Sequence, residues 1–407
     1  MATKLKSTIT SDSRCTNVYQ DHLLPLTKHA IFFRRRMPRH CIKYRRSDRH
    51  NGNRILTFKC SFPEARNLHH FAFNYPFTHS DLNDYLTRIQ NKNFMHFCRT
   101  CIGYTAKKKS IDLLTITDWS NCHDFRNKKT ICLTARVHPG ESPASYVCQG
   151  FLDFITNELD QKASHLREKY AFQVIPMLNP DGVDIGNHRS NFLGYDLNRQ
   201  WLNPDPDIHP TIFAAKRAFT RLAENTVVRS RVEIFIDVHA HCQQLNSFLY
   251  ANYLSEESKN KKQMVLPILL SQFTEDYNLD QSRFSSNPTK DGTARQALQE
   301  LFGAESLCYT LEVSVLGYEA KTKNKSVIFY DRDSYRRIGK NLALAIYRYS
   351  LLTAFDVENL LENYSLVAGN FDAFRVECHN STYVLKQENA QEEISDEWDN
   401  QRRSAKS

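Results

Sequence analysis

From about residue 110 to 350, short apolar runs alternate with stretches of helical periodicity. This alternation restricts the chain to an α/β fold, a sheet covered by helices. The runs expected as strands are Asp112–Thr117, Thr130–Val137, Ala171–Leu178, Val232–Val238, Phe248–Tyr253 and Leu307–Leu311. Thr130–Val137 is apolar and β-branched, the composition of a buried strand. Between the runs, Ser142-Pro143 is expected to open a helix, a cap residue followed by proline in the first turn. Tyr146, Val147, Gly150, Phe151, Phe154 and Ile155 then recur at helical spacing, as do Tyr335, Ile338, Leu342, Ala345, Ile346 and Tyr349 later on. No internal repeat interrupts the pattern.

Ligands of open α/β sheets sit outside the carboxyl ends of the strands. Thr130–Val137 ends on His138, and Glu141 follows across Pro139 and Gly140. An imidazole and a carboxylate three positions apart can close on one Zn²⁺, although an isolated HxxE is common. Val232–Val238 leads directly into His239, with His241 two residues on. His239, first past the strand, is the candidate third ligand, and His241 a supporting or structural histidine. Three ligands with an open position form the catalytic arrangement of zinc, one ion per chain. Glu312 closes Leu307–Leu311, again at a carboxyl end. Between these runs lie the turn Asn179-Pro180-Asp181-Gly182 and the polar cluster of Arg189, Asp196, Asn198 and Arg199. Asn179 and Asp181 are explained by the turn itself.

The 407 residues suffice for one large domain and a smaller one, and 41% hydrophobic residues suffice for a packed core. Leu56, Phe58, Cys60 and Phe62 alternate, as do Phe71, Phe73, Tyr75 and Phe77, which reads as two strands of a small β domain. That domain is expected to span residues 1–105, with a helix across Asp81–Arg88, ahead of a catalytic domain at 106–355. A tail at 356–407 follows, polar and disordered after about 380. No apolar run approaches the roughly 18 residues of a membrane span, and MATKLKSTIT lacks a secretory apolar segment.

Eleven scattered cysteines argue for reduced thiols rather than a disulfide framework. Cys98 and Cys101, the only CxxC, read as structural. Residues 1–54 hold 13 Lys/Arg against three Asp, a net of +10 in a chain of net +9. Arg34–Arg36 and Arg45-Arg46 fall in loop-like sequence. Such a basic segment either attracts an acidic partner or serves as a soluble arm.

HPGE, NPDG, DLNRQW, DVHAH and YTLEVS, in that order, resemble the motifs of a zinc metallocarboxypeptidase. FAFNYPFTHSDL and KDGTARQAL are similar to the cytosolic carboxypeptidase subfamily, and the resemblance covers roughly residues 30 to 350. It implies a carboxypeptidase domain with a mixed central sheet behind a β-sandwich domain, which this sequence enters midway and would hold incompletely. It also implies a cytoplasmic enzyme, with microtubules as a site of association, that removes glutamates from glutamylated protein tails such as tubulin's, without nucleic acid or membrane. Carried onto this sequence, His138, Glu141 and His239 hold Zn²⁺ and Glu312 is the general base. Arg189 meets the oxyanion, and Asn198 and Arg199 clamp the terminal carboxylate. Asp196 orients a zinc histidine. Arg295, 17 residues before Glu312, would meet the acidic side chain of the terminal residue. Lys290 is the alternative. His188 and Ala294 depart from the family's usual Tyr and Gly.

Two other readings share parts of this pattern: an acylase-type amidohydrolase, and a catalytically weak binder of acidic tails. A nucleotide-binding P-loop is excluded, because no GxxxxGK[ST] occurs.

Overall fold

The structure, a computed structural model, describes residues 5–10, 26–29, 33–50, 52–61, 70–120, 128–224, 231–285, 287, 290–321, 326–368 and 376–377. The first strands are β1 (Leu5–Thr10), β2 (Leu26–His29), β3 (Phe33–Arg36), β4 (Ile42–Arg46), β5 (Arg54–Cys60) and β6 (His70–Ala72). They form two antiparallel three-stranded sheets, β1-β5-β4 and β3-β2-β6. Met37, Leu56 and Phe58 make a small core there. The arginine runs expected in loops lie in β3 and β4. In β4, Ile42 and Tyr44 are half-buried while Lys43 and Arg45 are exposed, an alternation that suits a strand with one covered face.

The main body follows with α1 (His79–Gln90), β7 (Phe97–Tyr104), β8 (Ser110–Ile116), β9 (Lys129–Ala135), α2 (Ser142–Ile155), α3 (Gln161–Lys169), β10 (Tyr170–Ile175) and α4 (Pro180–Ile185). Next come α5 (Pro210–Glu224), β11 (Val232–His241), β12 (Ser247–Asn252), α6 (Glu257–Phe273), β13 (Arg283–Ser285), α7 (Ala294–Phe302) and β14 (Leu307–Ser314). The hairpin β15 (Gly317–Glu319) and β16 (Val327–Phe329) leads to α8 (Arg332–Leu351), α9 (Ala354–Ala368) and β17 (Val376–Glu377). One nine-stranded mixed sheet, ordered β17-β13-β12-β14-β11-β9-β10-β8-β7, runs through this body. Its centre, β10-β9-β11-β14, is parallel. One face packs with α2, α6 and α8 around Val147, Phe151, Leu266 and Leu342. The other face packs with α5 and α7 around Trp201, Phe219, Phe235 and Leu298. Among the described residues, no helix is long and apolar enough to cross a membrane.

Two boundaries differ from the sequence reading. β7 pairs with β8 from Phe97↔Ile116 to Tyr104↔Ser110, so the body begins well before residue 106. The second alternating run is a strand only as far as Ala72. Pro76 has no N–H for a ladder, and the Asn74 side chain takes the Tyr75 N–H at 2.7 Å. Tyr75 and Phe77 instead enter the main core, where Phe77 meets the Tyr146 ring edge-on at 5.1 Å. Local sequence does specify α1: Thr78 and Asp81 form a reciprocal capping box. At the other end, Val357, Leu360 and Leu361 of α9 pack on the core, which therefore extends past 355. The expected tail beyond 380 lies outside the described residues.

The helices α2 and α8 cross in close contact. A Cβ on Gly150 would stand 2.0 Å from Arg336 O, and one on Gly339 would stand 1.9 Å from Val147 O. Both helices are flush at backbone level, so neither glycine admits a methyl group without separation. Gly339→Ala is therefore expected to destabilise the protein by about 1–3 kcal/mol through overpacking. Thermal unfolding checks this, and an unchanged midpoint would show that the crossing shifts without cost.

Candidate metal centre

β9 delivers the first site residue by ending abruptly. Arg136 adopts φ 58°, a left-handed conformation uncommon for a residue with a side chain. Its buried guanidinium donates from Nε to Pro139 O and from Nη1 to Ser145 Oγ, each at 2.8 Å. That turn stops the strand at Ala135, two residues short of the expected Val137, and swings His138 out of the sheet. Gly140 is needed next, since a Cβ there would lie 2.7 Å from His188 O. Glu141 occupies the N-cap position of α2, and the expected cap, Ser142, is the first helical residue. Glu141 makes no cap hydrogen bond with its side chain, because its carboxylate faces the histidines.

His239 arrives differently. β11 does not end at Val238 but runs on to His241, so His239 projects from within the strand. In the parallel ladder it stands directly opposite Glu312 of β14, which likewise continues to Ser314.

The three proposed ligands converge. Glu141 Oε1 lies 2.7 Å from His138 Nδ1, and Glu141 Oε2 lies 3.0 Å from His239 Nδ1. One donor atom from each residue falls within 4.8 Å of the others. The far nitrogens are held from behind. His138 Nε2 is 3.1 Å from Asp196 Oδ1, and His239 Nε2 is 2.8 Å from Asp237 Oδ2. Both imidazoles thus turn Nδ1 inward and anchor Nε2 on a carboxylate, the support that metal-binding histidines use. Two nitrogens and a carboxylate suit Zn²⁺, and the donor set fits it.

Electrostatics agree with that fit. Burial alone would raise the Glu141 carboxyl, but His138 and His239 hold it well below its ordinary range. Burial would lower both imidazoles. Glu141 and Asp196 nevertheless raise His138, and Asp237 and Glu141 raise His239 well above its usual value. Such a cluster retains protons that a divalent cation can replace. Burial pushes the Glu312 carboxyl up to about 7, against the pull of His239.

The remaining expected residues fall in a ring around this cluster. Arg189, 43% exposed, donates from Nε to Asp196 Oδ2 at 2.8 Å, so Asp196 links it to His138. Asn198 is tied into the cluster on both sides of its amide. Its Nδ2 lies 3.2 Å from His239 Nε2, and its Oδ1 accepts the Ala294 N–H of α7 at 3.0 Å. Arg199 is exposed and donates to Asn198 O at 3.0 Å. Arg295, the second residue of α7, is buried and donates from Nη1 to Asn252 Oδ1. The Lys290 ammonium stands 5.1 Å above the Tyr250 ring. His241 packs against Phe248 at 5.1 Å and is not among the converging ligands. Cys98 and Cys101 make separate contacts, with Thr100 and Gly103.

Sequence reasoning missed Asp237. It is fully buried, and its Oδ1 accepts from Thr134 Oγ1 of β9 at 2.7 Å. The signal was present: an acid inside an apolar strand, two residues before a histidine and so on the same face.

The family model Peptidase_M14, described as zinc carboxypeptidase, matches residues 82–304. The chain belongs to this family. The match begins inside α1, consistent with a body that starts before β7. Human cytosolic carboxypeptidase 6 is 35% identical over 342 residues, covering 84% of this chain and 67% of that protein. The Caenorhabditis elegans protein of the same name is 40% identical over 286 residues, 70% of this chain and 61% of the relative. The chain thus spans 67% and 61% of the length of these two relatives and falls within the cytosolic carboxypeptidase family. A crystal structure of a metallo-carboxypeptidase from Burkholderia cenocepacia shares the fold, with TM-score 0.68, 19% identity and coverage of 86% and 89% of the two chains.

Asp237 supplies a test of the geometry. Asp237→Asn preserves size but removes the charge behind His239. Zinc affinity is expected to fall roughly 10- to 100-fold, measured by competition with a chelator. Unchanged affinity in a folded variant would show that the strand alone orients His239.

Proposed function

We propose that this chain is a cytosolic zinc metallocarboxypeptidase that removes glutamates from carboxyl ends and polyglutamate side chains, with tubulin tails as the expected protein substrate. The observation that carries the acidic specificity is Arg295, a buried cation one residue from the Ala294–Asn198–His239 connection. A buried guanidinium favours a partner with a carboxylate, which it can meet through two parallel hydrogen bonds.

His138, Glu141 and His239 are assigned to one zinc ion per chain. When bound, zinc supplies a Lewis acid for the scissile carbonyl and the attacking water. Glu312, opposite His239 across the ladder, takes the water's proton on a carboxylate oxygen and passes it to the leaving amine. Arg189, held through Nε on Asp196, directs its terminal nitrogens to the oxyanion as charge develops. Arg199 receives the substrate's terminal carboxylate. Asn198 is better assigned to positioning, because its amide already joins His239 to α7. The Trp201 backbone N–H, donating to Gly292 O at 3.1 Å, holds the Arg199 segment against the turn before Arg295.

Mass spectrometry of a polyglutamate peptide incubated with the protein is the direct test. Stepwise loss of terminal glutamate, abolished by a chelator, is expected. Hydrolysis confined to acyl amino acids would favour the acylase reading, and retention of intact peptide the binding reading.

Glu312→Gln keeps shape but removes the proton acceptor. Turnover should drop by ~10² to 10⁴ while zinc content stays near wild type. Turnover within a few-fold of wild type would place the base elsewhere.

Arg295→Leu should lose roughly 10- to 150-fold in kcat/KM on polyglutamate, the value of a charged hydrogen bond of ~1.5–3 kcal/mol. Peptides ending in Leu or Phe should be cleaved faster than by the wild type. Undiminished preference for glutamate would shift the selective role to Lys290.

A further inference from the structure

Two routes of contact lead outward from the metal cluster and meet at the tip of the β7–β8 hairpin. The first passes through the turn that follows β10. Asn179 donates from Nδ2 to Val137 O at 3.0 Å, and a Cβ on Gly182 would lie 2.4 Å from Pro139 Cγ, so this turn packs on the His138 loop. Between those residues, buried Asp181 faces the other way. Its Oδ1 accepts from Thr105 Oγ1 at 2.7 Å, and its Oδ2 accepts the backbone N–H of Lys107 at 3.0 Å. The second route runs from His138 through Asp196 to Arg189 and along the same loop to Phe192. The Lys107 ammonium stands 4.6 Å above the Phe192 ring.

Asp181 therefore does more than shape its own turn. It fastens a hairpin tip carrying three successive lysines beside the loop that bears Arg189. The tip is closed by its own backbone bonds, Thr105 N–H to Lys109 O and Lys108 N–H to Thr105 O, both 2.9 Å. Lys109 pairs with Asp184 at 3.3 Å. Among the described residues, exposed Lys107 and Lys108 pair with no carboxylate. A lysine run on a free loop would spread its charge in solvent. Here the backbone of both lysines is held by the turn and by Asp181, with the Lys107 ammonium over Phe192, and Phe192, Leu193 and Tyr195 lie exposed on the adjoining loop.

We propose that this hairpin tip is the docking surface for the upstream part of an acidic chain whose last residue occupies the metal site. Lys107 and Lys108 meet the carboxylates of residues preceding the one removed, and Phe192 and Tyr195 cover the intervening apolar stems. The occupant follows from charge complementarity together with the proposed acidic specificity, on which this inference rests. The Asn179–Gly182 turn and the Arg189–Phe192 loop both lie between the metal cluster and the tip, and an extended chain advances about 3.3 Å per residue, so octaglutamate rather than diglutamate is expected to reach it.

The test compares Lys107→Gln/Lys108→Asn with the wild type. Asn tolerates the φ of 61° at Lys108, and the Lys107 N–H to Asp181 is kept. Binding of octaglutamate is measured in a Glu312→Gln background, so the readout does not depend on turnover. Two exposed ammonium groups are worth roughly 2- to 25-fold together at low salt. Affinity for octaglutamate should fall by that factor and lose part of its salt dependence, while diglutamate binding stays unchanged. Lys107→Arg/Lys108→Arg should restore octaglutamate binding. Undiminished octaglutamate affinity and salt slope in the neutral variant would overturn the proposal, and so would an equal loss for diglutamate. Equal loss for a single-stranded oligonucleotide of matched charge would also overturn it, making the tip a general polyanion surface. If the wild type binds octaglutamate but does not cleave it, the reading as a deglutamylase fails while the docking surface stands.

Discussion

The Glu141 carboxylate is the interaction on which the rest of the site depends. One oxygen meets His138, from the loop after β9, and the other meets His239 and the Ala240 N–H, from within β11. A single anion thus joins two neighbouring parallel strands at the point where the sheet gives way to loops. The cost of burying that carboxylate is offset by two imidazoles and a backbone donor. Arg136, with its left-handed backbone, makes the arrangement possible by turning the chain two residues before His138.

Charge is distributed outward from this centre in alternating shells. Asp196 and Asp237 stand behind the histidines, and Arg189 and Thr134 stand behind those carboxylates. No member of this series is left without a partner of suitable character, which low-dielectric surroundings demand. The series also couples the chemistry to specificity. Asn198 touches His239 on one side and the first N–H of α7 on the other, so the helix that presents Arg295 is registered against a metal histidine. A substitution at Asn198 would disturb both ends at once.

The elements most legible in the sequence were those specified by local pattern. The strands β8 to β12 and β14 and the helices α2 and α8 follow from periodicities that neighbouring residues create among themselves. The errors cluster where tertiary contacts override local preference. Tyr75 and Phe77 alternate like a strand, yet Asn74 and Pro76 break the ladder and the rings enter a core that α2 and the sheet create. Ser142 looked like the cap of α2, but Glu141 holds that position because a histidine 98 residues away engages its side chain. Arg34–Arg36 became strand through pairing with β2, which their own composition does not announce.

By itself the sequence determined the fold class, the family and the residue types of the metal cluster, because strand-ending histidines and an HxxE need only local spacing and order to be read. Only the tertiary structure decided which nitrogen of each imidazole faces inward and which carboxylate stands behind it, since those depend on register between strands far apart in the chain. The same holds for Asp237, whose purpose is visible only with His239 and Thr134 beside it. It also holds for Asp181, which reads as a turn residue until β7 and β8 bring Thr105 and Lys107 to its two oxygens. Side-chain chemistry is written residue by residue, whereas the partner that gives each charge its role is supplied by the packing of the sheet.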